Sequence, residues 1–169
     1  GEIVLSEYDS CRLMVVNLWK FVINPFTSGA HFDSARFERA VEVAQRLMDD
    51  LVDLELEMVD AIIAKVKADP EPEEVKLIEL RLWEKIRTAA ANGRRTGLGI
   101  TGLGDCIAGM NHRYGSDESI ALTERLYRKL AIHSYKSSCV MAGERGAFPI
   151  FDKKIEENHP FLKRIFQAA

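Results

Sequence analysis

Residues 94–105 read RRTGLGITGLGD, and the nature of this stretch decides the fold. Gly97 to Gly102 fit G-x-G-x-x-G letter for letter. A dinucleotide-binding turn needs a strand immediately before its glycines, a helix opening within them and an acidic residue about 20 positions later. Here a helical pattern and the basic pair Arg94-Arg95 come first, so the nucleotide fingerprint is rejected. Glycine also serves wherever two backbones pack closely. Leu98, Ile100 and Leu103 between the glycines mark a short strand or extended segment. It leads into a helix from about Gly104 to Met110.

Upstream, Phe37, Val41, Ala44, Met48, Leu51, Leu54, Met58, Ile62 and Val66 recur at three- and four-residue steps. They predict an amphipathic helix over about 34–67. Asp33 or Ser34 caps it by accepting a bond from a free N–H. Asp69-Pro70-Glu71-Pro72 ends it, because proline cannot continue a helix. A second helix, from Glu73 to about Ala91, carries Val75, Ile78, Leu82 and Ile86 along one face and stops at Asn92-Gly93. Residues 13–23, LMVVNLWKFVI, predict a short buried strand before the turn signal Asn24-Pro25, and 26–34 follow as a loop.

Downstream, Asn111 to Gly115 form a loop, and Ser116 or Asp117 caps a third long helix reaching about Ala142. Its periodic positions are Ile120, Leu126, Leu130 and Ile132, and Gly143, Gly146 and Pro149 break it. Residues 150–169 are partly helical. The expected fold is mainly α with two short extended segments, and no linker divides it, so 1–169 is read as a single domain.

With 47% hydrophobic and 29% charged residues, the 169-residue chain has the composition of an ordinary soluble domain with a sizeable core. A net charge of −3 gives no electrostatic footprint for nucleic acid. The apolar runs are too short to span a bilayer and no signal-peptide pattern opens the chain, so no membrane partner is expected. Cys11, Cys106 and Cys139 are an odd set at wide spacing. That argues against a disulfide framework and for a reducing, cytoplasmic setting.

Asp49, Asp53, Glu57 and Asp60 share a face of the first long helix. Two-metal bundle sites need Glu-x-x-His steps, which that run lacks, so a solvated face is expected there. No C-x-x-C or H-x-x-x-H step occurs, and no metal site is expected. Cys106 and Cys139 fall within predicted helices and read as buried small apolar residues. Glu2 and Cys11 stand nine positions apart, a spacing that by itself carries little.

Their context carries more. GEIVLSEYDSCRLMVVNL (1–18) resembles the segment of ribonucleotide reductase large subunits that follows the radical-bearing cysteine. In that family an Asn-x-Cys-x-Glu motif precedes a second cysteine in a Cys-Asn-Leu-Gly-Ser-Ile-Asn-Leu context. Gly1-Glu2 match the end of the first motif, and Cys11-Arg12-Leu13 with Asn17-Leu18 match the second. RRTGLGITGLGD (94–105), RYGSDESI (113–120) and GERGAFPIFD (143–152) look like family sequence in the same order. TGLGITGLGD and RYGSDES are most like the adenosylcobalamin-dependent class.

The resemblance implies a piece of the family's ten-stranded α/β barrel. It implies that Glu2 is the general base on the substrate's 3′-hydroxyl and that Cys11 is one member of the redox thiol pair. Leu13 would line the substrate pocket. In the parent enzyme it implies a ribonucleotide substrate, adenosylcobalamin and a thioredoxin-like reductant. The sequence departs from the pattern at Arg12 and Met14-Val15-Val16, where Asn and Gly-Ser-Ile are commoner, and in a long Leu54–Glu84 region. The radical cysteine, the partner of Cys11 and the later phosphate-binding segment have no counterpart in the sequence, so the isolated chain is expected to be inactive and to bind no cofactor. The alternative is a helical interaction module derived from a reductase without catalysis. Either way, apolar faces without neighbours predict self-association.

Overall fold

The computed structural model describes residues 4–168. Strand β1 (Arg12–Asn17) runs into a 3-10 turn (Leu18–Phe21), and a short hairpin follows, β2 (Val22–Ile23) with β3 (His31–Phe32). Helices α1 (Ser34–Ala68) and α2 (Glu73–Gly93) lead to β4 (Thr96–Thr101). The chain ends with α3 (Leu103–Gly109), α4 (Asp117–Arg145), α5 (Lys153–Glu156) and α6 (Pro160–Ala168). The expected mainly helical class holds. The two six-residue strands fall where extended segments were predicted, and the β2–β3 hairpin lies partly in the predicted loop.

β1 and β4 pair in parallel, with Arg12 opposite Thr96, Leu13 opposite Gly97 and Asn17 opposite Thr101. A parallel pair needs a long crossover, and the α1–α2 hairpin supplies most of it. Successive residues of a strand point to opposite faces. On one face the Arg12 guanidinium meets Glu55 of α1, with Nε at 2.5 Å, and Gln45 of α1 donates from Nε2 to Thr96 Oγ1 at 3.0 Å. On the other face Leu13 and Val15 are 65% and 61% exposed. The strand expected to be buried is therefore covered on one side only, because α1 packs on a single face of the sheet. The described strands form two two-stranded sheets and close no barrel.

Asp33 caps α1, its carboxylate accepting the Arg36 N–H at 3.0 Å, and α1 ends at Asp69, before Pro70. Its buried line starts as predicted through Phe37, Val41, Ala44 and Met48. It then continues through Val52, Val59, Ile63 and Val66, whereas Leu51, Leu54 and Met58 are exposed. Two apolar stripes lie side by side on this helix, and only one meets α2 and the sheet. The same correction applies to α2, where Val75, Ile78 and Leu82 are exposed and Lys76, Ala90 and Gly93 are buried. The left-handed residue that ends α2 is Arg94, with φ 41°, rather than Gly93. Its guanidinium is held by Asp49 and Asp53 of α1, a tie that offsets the cost of that backbone conformation.

The main core lies where the 3-10 turn, α1, α3 and α4 meet. Leu18, Phe37, Val41 and Cys106 are fully buried there, with Leu122, Leu126 and Leu130 of α4 packed beside them. Phe21, Phe32 and Phe37 pack edge-on or tilted, with ring centroids 5.4–5.9 Å apart. Ser116 caps α4, which runs through Gly143 and stops at Gly146. Of its predicted apolar positions Leu126 and Leu130 are buried, whereas Ile120 is exposed. α4 is sewn to α1 by Lys129–Glu38, by His133 Nδ1 with Glu42 at 2.7 Å, and by Ser137 Oγ donating to the Glu42 carbonyl at 2.8 Å. Among the described residues no helix is long and apolar enough to cross a membrane.

Candidate active site

The site is built on the open face of the β1–β4 pair. Cys11 is half-buried and immediately precedes β1. Leu13 and Val15 follow on the same face, opposite Gly97 and Gly99. An ideal Cβ on Gly97 would lie 2.6 Å from Leu13 Cδ2 and 3.1 Å from Cys11 Sγ, and one on Gly99 would lie 3.6 Å from Val15 Cγ1. Gly97 thus leaves room for the side chains of β1, whereas a Cβ on Gly99 would make only an ordinary contact. At Gly102 a second constraint applies, with φ +69° and the place of its Cβ 2.6 Å from Asn17 Oδ1. That oxygen is engaged in accepting the Trp19 N–H at 3.1 Å to cap the 3-10 turn. Close approach of neighbouring side chains, in place of a nucleotide cradle, accounts for Gly97 and Gly102.

The chain around Cys11 is tied on both sides. The Asp9 carboxylate, 2% exposed, is gripped by the Arg95 guanidinium. The Ser10 N–H donates to Asp9 Oδ1 at 2.9 Å, and Arg12 Nη1 donates to the Ser10 carbonyl at 3.0 Å. The Arg12 N–H donates to the Arg95 carbonyl at 3.3 Å, which starts the ladder. Arg94 and Arg95 therefore point two ways from one turn, Arg94 to α1 and Arg95 to the segment before Cys11. Neither Asp9 nor Arg95 was singled out from the sequence as a site residue. Their signal is the adjacency of two opposite charges across a strand pairing, which exists only once the register is known.

Cys11 and Leu13 are brought together, and Glu2 lies outside the described residues. All three cysteines are free. Cys106 is buried as expected, and burial pushes its thiol up to about 11. Cys139 is exposed, against expectation, because the buried line of α4 runs through Ser137 and Met141 on either side of it.

The acidic run of α1 is an ion-pair network more than a solvated face. Asp49, Asp50 and Asp53 bring their carboxylates together. Arg94 Nε reaches Asp49 at 2.7 Å, and Arg145 reaches Asp49 at 2.5 Å and Asp50 at 2.6 Å. Burial pushes the Asp49 carboxyl up, but the hydrogen bonds and charges of Arg94 and Arg145 outweigh it and hold it below the ordinary range. Two guanidinium groups already occupy the positions a cation would take. The chain does contain one Glu-x-x-His step, Glu156 to His159. There His159 Nδ1 accepts the Phe161 N–H at 3.3 Å, capping α6.

The parallel strand pair, joined by a long helical crossover, thus has one face covered by helix and the other open beside a thiol. The chain belongs to the ribonucleotide reductase family: the model of the ribonucleotide reductase barrel domain matches residues 1–168. It is 30% identical over 161 residues to the vitamin B12-dependent ribonucleoside-diphosphate reductase of Mycobacterium tuberculosis, covering 95% of this chain and 19% of that protein. It is 28% identical over 149 residues to the protein of the same name from Thermoplasma acidophilum, covering 88% and 16%. The ribonucleoside-diphosphate reductase subunit alpha of Chlamydia pneumoniae is 23% identical over 143 residues, covering 85% and 11%. The chain spans about a fifth or less of the length of these relatives.

Proposed function

We propose that the chain is a single unit of the ten-stranded catalytic barrel of a vitamin B12-dependent reductase acting on ribonucleoside diphosphates. The observation that supports this best is that the family match runs along the whole sequence while Cys11 and Leu13 share the one uncovered face of its parallel strands. Substrate class and cofactor follow the names of the relatives.

In this reading Cys11 supplies one of two thiols that deliver two electrons and two protons to the ribose. The 2′ carbon–oxygen bond breaks, water leaves, a carbon–hydrogen bond replaces it, and the two sulfurs end joined as a disulfide. A thioredoxin-like reductant then returns the pair to thiols. Glu2 takes the 3′-hydroxyl proton, a role suited to a carboxylate within hydrogen-bond reach. Leu13, opposite the bare Gly97, offers an apolar wall to the sugar. Adenosylcobalamin supplies the radical chemistry in the parent enzyme. The described residues of this chain do not fit it as a site: the sheet face is open, with Leu13 and Val15 exposed on it and no buried polar cluster aimed across it.

The test is multiple-turnover reduction of a ribonucleoside diphosphate by the reductase that carries this chain. Cys11→Ser is expected to abolish turnover sustained by a thioredoxin-type reductant, and Glu2→Gln to slow it by about 10²–10⁴-fold. Full sustained turnover by Cys11→Ser would refute the assignment.

A further inference from the structure

Cys11 sits one residue before the ladder begins, a place where a chain ordinarily frays. A thiol that must lie against a substrate carbon and then close on a second sulfur has little positional tolerance, since a disulfide demands a sulfur–sulfur separation of about 2.05 Å and defined torsions. We propose that Arg95 and Gly97 are positioning residues for the Cys11 thiol, acting from the neighbouring strand through Asp9 and through the space beneath the sulfur. The inference rests on Cys11 being a redox thiol, and it names what holds that thiol in register.

Two independent features carry it. Gly97 is not among the residues with positive φ, so any L-residue accepts its backbone conformation. Its missing side chain serves space alone, and that space is taken by Leu13 Cδ2 and Cys11 Sγ, 2.6 and 3.1 Å from where a Cβ would stand. An alanine there forces the leucine aside and presses on the sulfur. Arg95 acts from the other side. Its side chain grips an almost fully buried carboxylate two residues before Cys11, and its carbonyl receives the N–H of the residue after Cys11. One residue of β4's approach thus clamps both flanks of the thiol. Removing its charge leaves the buried Asp9 carboxylate with the Ser10 N–H but without an opposite charge, which favours a shift of the 6–11 segment.

The experiment reads the thiol directly, by peptide-resolved mass spectrometry of Cys11 in the reductase that carries this chain. Iodoacetamide alkylation rates are measured across pH for the parent, Gly97→Ala, Arg95→Gln and Arg95→Lys, with far-UV circular dichroism and a cooperative melt confirming folding. Gly97→Ala and Arg95→Gln are expected to change the Cys11 rate by about tenfold, and Arg95→Lys, which keeps the charge, to return most of the difference. Folded Gly97→Ala and Arg95→Gln proteins that alkylate at the parent rate overturn the proposal. Should Gly97→Ala fail to fold, the Arg95 pair decides alone, and equal rates in Gln and Lys variants overturn it. Alkylation does not depend on turnover, so loss of the redox assignment by an active Cys11→Ser enzyme is distinguishable from loss of this one.

Discussion

At the scale of single residues, charge placement matters more here than charge count. Asp49 is 14% exposed and receives Arg94 from the end of α2 and Arg145 from the end of α4, so one carboxylate joins three helices. Its folded pKa lies below the ordinary 3.8, which means the folded state binds fewer protons than the unfolded chain at acid pH. The stability it contributes is therefore whole above the ordinary value and is lost as pH falls through the folded value. Asp49→Asn is expected to cost about 1–2 kcal/mol near neutral pH, discounted for the partial exposure of both arginines. Urea unfolding at neutral pH and again below about pH 3 checks this. The gap between the two proteins should shrink at the acid end, and a constant gap would argue against the ion pairs as its source.

At the scale of elements, α1 shows why a helical period does not name the buried face. Its apolar residues form two adjacent stripes, and the second, Val43, Leu47, Leu51, Leu54 and Met58, is 41–64% exposed. A helix this long can satisfy the period with either stripe after its first three turns. Paired truncations separate them. Met48→Ala, at a fully buried position, should lower unfolding stability by about 2–5 kcal/mol. Leu54→Ala, at an exposed one, should stay within about 0.5 kcal/mol. Equal losses at both sites in denaturant titrations would place the second stripe against something buried in solution.

At the scale of the whole molecule, the open sheet face, the second stripe of α1 and one face of α2 each leave large apolar side chains uncovered. Leu13, Val15, Leu54, Met58 and Ile78 are all more than half exposed, and exposed apolar faces favour association. The chain is expected to self-associate, and light scattering coupled to size exclusion should report a dimer or larger species across micromolar concentrations. A single monodisperse monomer would count against it. Leu13→Glu together with Leu54→Glu should shift the population toward monomer if these faces drive it.

Much of this was legible from the residues. The proline pair after Asp69 and the capping carboxylate of Asp33 bounded α1, and the glycines of 96–105 marked a strand of close approach. Motif order along the chain carried the family. These features are local: a cap, a breaker or a bare glycine acts within a few residues, so its physics is written in adjacent letters. Only the tertiary structure decided which stripe of α1 is buried, that Arg94 rather than Gly93 turns left-handed, and that Cys139 is exposed. The same holds for Asp9 meeting Arg95 and for Gly97 lying beneath Cys11, 86 residues apart in each case. Those outcomes depend on the register of one parallel strand pair, and a parallel register is set by everything the intervening crossover packs against, which no short window of sequence contains.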